Sequence, residues 1–160
     1  MQAGTVGVGN NINGPSLIET PEWLSSCLGR YYLYFGHHFG QNIRMAFSNN
    51  LTGPWNIYKS GVLDLKETPF TQERPNVKQP QWATNEGVDG LYPHIASPDV
   101  HINETEKSLE MFFHGLDRDG EQRSVCAVSN DGLTWRVQSM RINQTYLRVF
   151  RYNHNKYAIA

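Results

Sequence analysis

One passage of this chain is written twice, and that repeat limits the folds open to it more than any other feature. Tyr32-Leu33-Tyr34-Phe35-Gly36 is followed, after a loop, by Met45-Ala46-Phe47-Ser48-Asn49-Asn50 and then Trp55. Met111-Phe112-Phe113-His114-Gly115 is followed in the same way by Cys126-Ala127-Val128-Ser129-Asn130-Asp131 and then Trp135. Each copy reads as strand, loop, strand, Ser-Asn turn and a Trp opening a further strand. Each is preceded by a strand containing proline, Pro15-Ser16-Leu17-Ile18 in one and Pro98-Asp99-Val100-His101-Ile102 in the other. Four short antiparallel strands per unit is the content of a β-propeller blade.

The remaining apolar runs agree. Tyr146-Leu147-Arg148-Val149-Phe150 and Lys156-Tyr157-Ala158-Ile159-Ala160 have the length, β-forming residues and polar boundaries of strands. No segment carries a sustained helical period with caps. The expected class is all-β. The first blade is expected over about 14–61, a rim loop over about 62–93, the second blade over about 94–142, and the start of a third over about 143–160. Propellers have about 4–8 blades, so the chain reads as an N-terminal fragment of a ring. Its open strand edges predict a marginally stable, sticky species when isolated.

Composition narrows the partners. The formal net charge is −1, and no run of Lys or Arg occurs, which argues against nucleic acid or an anionic membrane surface. No apolar stretch reaches the roughly 20 residues of a membrane helix. Met1 to Asn13 lacks the pattern of a signal peptide, which leaves the cytoplasm as the default location. Cys126 sits in an apolar run and reads as a buried thiol, and a bridge to Cys27 stays open on sequence alone. No nucleotide fingerprint or nucleophile elbow is present, so no cofactor is expected. The aromatic share of 12% suits both strands and sugar-binding surfaces, and carbohydrate is the expected partner.

Three passages resemble the five-bladed propellers of the glycoside hydrolase family 43 and family 32 type. They are Asn13-Gly14-Pro15-Ser16-Leu17-Ile18, Tyr92-Pro93-His94-Ile95-Ala96-Ser97-Pro98-Asp99-Val100, and the Ser-Asn turns leading to Trp55 and Trp135. The resemblance implies a carbohydrate-active propeller that acts on a glycosidic bond in the axial funnel. In the family 43 pattern one Asp is the general base, a second tunes a pKa and a Glu is the general acid, because the chemistry needs carboxyls of separated pKa around the bond. Asp99 falls at the second Asp and is the expected catalytic residue. Gly14 stands where the base would be, and no Glu occurs near Gln144-Thr145-Tyr146. Glu19, Glu86 and Asp89 are the other carboxylates considered, each also readable as a solvated loop residue. The alternative function is a glycan-binding or interaction propeller that lacks the base. The turn Ser129-Asn130-Asp131-Gly132-Leu133-Thr134-Trp135 also resembles an Asp-box of sialidase-type propellers, which implies a structural role.

Histidine placement suggests substrate contacts. His37 and His38 follow the second strand of the first blade, and His114 ends the equivalent strand of the second. His94 precedes the strand carrying Asp99. A propeller would bring His38, His94, Asp99 and His114 toward one face. Sugar hydrogen bonding, a divalent metal and ordinary polar packing are all compatible with that set, and no strict metal-ligand spacing is present. Trp82, in the Pro-rich segment between the blades, is the expected sugar-stacking platform, whereas Trp55 and Trp135 are expected in the core.

Overall fold

A computed structural model describes residues 11–37 and 39–160. His38 lies outside the described residues. The strands are β1 (Asn13–Glu19), β2 (Tyr31–Gly36), β3 (Asn42–Ser48), β4 (Asn56–Asp64), β5 (Ile95–Asn103), β6 (Ser108–Leu116), β7 (Gln122–Ser129), β8 (Arg136–Ile142), β9 (Arg148–Tyr152) and β10 (Asn155–Ile159). They form two four-stranded antiparallel sheets, ordered β1-β2-β3-β4 and β5-β6-β7-β8, and a two-stranded hairpin of β9 and β10. The fold class is all-β, and the two larger sheets have the form of propeller blades.

The repeat extends to irregularities that sequence pattern alone does not reveal. In both sheets the first ladder slips at a proline, between Asn13 and Ser16 and again between Ala96 and Asp99. In both, the last ladder slips as well, between Ile43 and Met45 and between Val125 and Ala127. Proline cannot donate to a ladder, so a bulge is where an inner strand can accommodate it.

Strand alternation sets the packing. Tyr32, Tyr34, Ile43 and Met45 of the first sheet meet Ile95, Leu109, Met111, Phe113, Val125 and Trp135 of the second in one buried core. A smaller cluster of Phe112, Cys126 and Leu147, flanked by Ile142 and Val149, joins the second sheet to the β9–β10 hairpin. Both faces of β6 are therefore covered, Met111 and Phe113 by the first sheet and Phe112 by the hairpin. Each fully buried large side chain contributes about 1.5–3 kcal/mol. Cys126 is a buried free thiol and Cys27 an exposed one, so the two are not bridged. Burial raises the Cys126 pKa to about 11, which keeps the thiol protonated.

The Ser129–Trp135 turn is held from within. Asp131 Oδ1 accepts the Leu133 and Thr134 backbone N–H groups at 2.8 and 2.7 Å, and Ser129 Oγ accepts those of Asp131 and Gly132 at 3.3 and 2.8 Å. Gly132 has φ +74°, and a Cβ there would lie 2.8 Å from the Tyr34 hydroxyl. That hydroxyl donates to the Gly132 carbonyl at 2.9 Å, so this turn also fastens one sheet to the other.

The segment between the sheets is more ordered than a loop. Residues through Asp64 extend β4, a 3-10 turn covers Leu65–Glu67, and a short helix α1 covers Gln81–Glu86. Pro80 opens α1, and Gly87 closes it in the left-handed region with φ +67°. A six-residue helix is too short to leave a periodic signature. Phe70 packs edge-on to Phe113, and Val77 and Leu91 pack around Gly120, which seats the segment on the second sheet. Among the described residues no helix is long and apolar enough to cross a membrane.

Candidate functional site

Asp99 lies on β5 opposite Phe112, and Ala96 lies opposite His114. The pairing puts Asp99, His101, Phe112 and His114 on the face of the second sheet that receives the third hairpin. Residues 146–149 run across this face. The Val149 N–H donates to Asp99 Oδ2 at 2.7 Å, and the Tyr146 ring lies 4.4 Å from the His114 ring. Tyr146 precedes β9 and has φ +54°, so it sits outside the strand expected to begin there. That turn aims its ring at His114 while leaving it 54% exposed.

Asp99 is 8% exposed, and its Oδ2 also meets His101 Nε2 at 2.7 Å. Burial pushes the Asp99 pKa up. The His101 and Val149 hydrogen bonds and the positive charge of Arg148 outweigh that and hold it below the usual carboxylate value. It is an ionised carboxylate at neutral pH.

His114 is 1% exposed, and its Nδ1 has no hydrogen-bond partner among the described residues. Burial, reinforced by His94 and Arg148, lowers its pKa to about 3, so it is a neutral imidazole. His94, also buried, stands edge-on to His114 at 5.6 Å, and its Nδ1 lies 2.9 Å from the Tyr92 carbonyl. The Tyr92 ring packs against His94 at 4.5 Å and against Phe39 at 4.6 Å. Burial, with Tyr146 and Asp89 nearby, raises the Tyr92 pKa to about 12, which keeps the phenol protonated. Aromatic and imidazole rings thus form one continuous wall, with its exposed ends at Phe39 and Tyr146.

The position before Pro15 is closed. Gly14 has φ +50°, and a Cβ there would fall 2.5 Å from Ser97 Cα and 2.7 Å from Ser97 Oγ. Ser97 is buried, has φ +52°, and donates to Asn13 Oδ1 at 3.1 Å. One blade's corner fills the space that a side chain from the other would need.

Of the residues singled out from the sequence, Asp99, His94 and His114 come together, joined through residues 146–149. Trp82 does not join them. It sits on α1, 49% exposed, and among the described residues no ring contact or hydrogen bond links it to the group. Glu19 pairs with Arg30 at 2.8 Å at the far end of β1, and Asp89 pairs with Arg74 at 2.7 Å. Glu86 ends α1, exposed. Trp135 is core, and Trp55 is half-buried just ahead of β4. Among the described residues no group of three or more His, Cys, Asp or Glu is placed to hold a metal ion. Tyr92, Tyr146, Ser97 and Arg148 were not anticipated. Only the fixed offset of Ser97 from Asp99 gave a sequence signal, matching that of Gly14 from Ser16.

Comparison with solved structures explains the architecture. A family 43 β-xylosidase/α-arabinofuranosidase from a compost microbial metagenome, in complex with xylotriose, superposes with a TM-score of 0.59 at 17% identity, over 89% of this chain and 39% of that one. The fold is that of the family 43 glycoside hydrolase propellers. A family 43 enzyme from Xanthomonas citri bound to xylotriose gives a TM-score of 0.58 at 15% identity, over 89% of this chain and 37% of its own. The exo-β-1,3-galactanase of Phanerochaete chrysosporium gives 0.55 at 12% identity, over 92% of this chain and 31% of that enzyme. In sequence, the chain is 28% identical over 150 residues to uncharacterized protein R118 of Acanthamoeba polyphaga mimivirus. That match covers 88% of this chain and 39% of the viral protein, so the chain spans well under half the length of this relative and of the three enzymes above. No family model matches it.

Proposed function

We propose that the face bearing Asp99, His94, His114 and Tyr146 binds carbohydrate, and that the described residues do so without cleaving the glycosidic bond. The closed position at Gly14 carries this reading. Hydrolysis uses two carboxyls, one of them able to donate a proton. Here the carboxyl of the first inner strand, Glu19, is paired with Arg30 at the strand's far end, and that of the second, Asp99, is held ionised. What remains suits binding. The exposed Tyr146 and Phe39 rings can pack against the apolar face of a pyranose, with the buried His94 and His114 imidazoles holding the wall between them.

A second reading is hydrolysis, with Asp99 as the carboxylate nearest the bond and the acid and base supplied by residues beyond those described. The ionised state of Asp99 on an inner strand of a glycoside hydrolase fold supports it. Trp82 fits either reading as a separate stacking platform.

The test is a glycan array combined with chromogenic glycosides on the full-length protein, with Asp99→Asn alongside. Binding without turnover is the expected result. Turnover that collapses in Asp99→Asn would overturn the binding-only reading.

A further inference from the structure

Two large aromatic side chains stand exposed at the same end of the sheets. Phe39 lies in the turn between β2 and β3, and Tyr146 lies just before β9, both more than half exposed. The end is shared because the strands meet there. A Cβ on Gly36, which closes β2, would lie 3.2 Å from Ala96 Cα near the start of β5, and Ala96 pairs with His114 near the end of β6. Tyr146 then packs on His114. Tyr92, His94 and His114 fill the space between in an unbroken row, with ring contacts of 4.6, 4.5 and 5.6 Å from Phe39 onward.

A single exposed aromatic side chain on a loop is ordinary and calls for no ligand. These two differ because one strand holds both. The Phe39 turn is fixed by the Gly40 carbonyl, which accepts the Ile95 N–H at 3.2 Å, and by the Phe39 N–H, which donates to His37 Nδ1 at 3.2 Å. The Tyr146 turn is fixed by the buried Leu147 and by the Val149 N–H on Asp99. Ile95 and Asp99 both belong to β5, so one element sets the positions of both rings. Rings held in place before a ligand arrives lose little freedom when it binds, as a stacking platform requires.

Phe39 and Tyr146 make no ring contact with each other among the described residues, and the row of three rings stands between them. A pyranose seated on one therefore leaves the other bare. From this pair of fixed, separated rings we infer that the ligand is a linear oligosaccharide, with one sugar on Phe39, another on Tyr146 and at least one sugar between. His94 and His114 are too buried to bond the middle of the chain, and they act as the spacer that sets its length. This rests on the carbohydrate-binding reading above and adds to it that the ligand is a chain and not a single sugar.

The experiment measures affinity of the full-length protein by calorimetry for the xylo-, cello- and galacto-oligosaccharide series, from monosaccharide to hexasaccharide. In at least one series affinity should rise about tenfold between the disaccharide and the tetrasaccharide. Phe39→Ala and Tyr146→Ala should each bring the tetrasaccharide down to the affinity of the disaccharide, whereas Phe39→Trp should keep the gain. Because Tyr146 also covers His114, the Phe39→Ala and Phe39→Trp pair decides the matter if Tyr146→Ala lowers the melting temperature. Affinity independent of chain length in every series that binds, or a length gain that survives in Phe39→Ala, would overturn the inference and leave carbohydrate binding in place. Absence of binding to every saccharide would overturn both.

Discussion

The two inner strands follow the same path and end in opposite chemistry. At the bulge of β1 stand Gly14, Pro15 and Ser16, and at the bulge of β5 stand Ser97, Pro98 and Asp99. The residue before each proline lies at positive φ, yet only one of the two carries a side chain. The residue after each proline differs as well. Ser16 Oγ accepts the Val100 N–H at 2.8 Å and ties the first sheet to the second, whereas Asp99 accepts the Val149 N–H and ties the second to the third hairpin. A polar side chain at this corner is thus a fastening between neighbouring sheets in both cases. In the second sheet the fastening is also an ion, with His101 as a further hydrogen-bond partner.

The sharpest way to break the comparison is to give β1 the side chain it lacks. Gly14→Asp must adopt a left-handed backbone and push into Ser97, and should cost about 2–5 kcal/mol. Urea unfolding would measure this, and adding Ser97→Gly should recover part of the loss. A stable, wild-type-like Gly14→Asp would disprove the close approach.

Asp99 is the next test. Asp99→Ala leaves the Val149 N–H and His101 without their acceptor and should cost about 1–3 kcal/mol, with Ser16→Ala costing less because that acceptor is uncharged. The Asp99 pKa is lowered in the folded chain, so its stabilisation is present above the ordinary carboxylate value near 3.8 and is lost as pH falls below it.

His114 should act earlier in the same titration. Its folded pKa of about 3 lies below the ordinary 6.5, so the unfolded chain takes up the proton first. Stability should decline as pH falls from 6.5 toward 3, and His114→Phe should flatten that part of the curve in thermal melts. An unchanged slope would show that the imidazole is not buried in its neutral form.

The smallest contrast lies in the two Ser-Asn turns. Among the described residues Ser129 Oγ accepts two backbone N–H groups, whereas Ser48 Oγ accepts one, that of Asn50, at 3.1 Å. Ser129→Ala should cost about 1 kcal/mol and Ser48→Ala about half of that. Equal losses would remove the distinction between the turns.

The sheets were legible because Tyr32-Leu33-Tyr34-Phe35 and Met111-Phe112-Phe113 are short β-forming runs closed by glycine, and because the pattern occurs twice. Asp99 was legible as a carboxylate on an inner strand. The His114–Tyr146 stack was not, since it depends on a left-handed turn at a tyrosine that reads as part of a strand. Nor was the contact between the corners, made by residues such as Asn13 and Ser97 that stand 84 positions apart. Helix α1 was missed because Pro80 and Gly87 look like loop punctuation until the one turn and a half between them is seen.

The packing of Gly14 on Ser97 also constrains how this sequence can change with time. The nearest atom to a side chain at position 14 is the Ser97 Cα, so such a side chain requires the two corners to move apart as well as a change at position 97, and the two sites are not independent in their effects. Any lineage moving from glycine to an acid there, one substitution at a time, must either relax the serine first or pass through a poorly folded intermediate. Order of mutation, and not the chemistry of the new residue alone, governs whether such a chain can acquire a carboxylate on that strand.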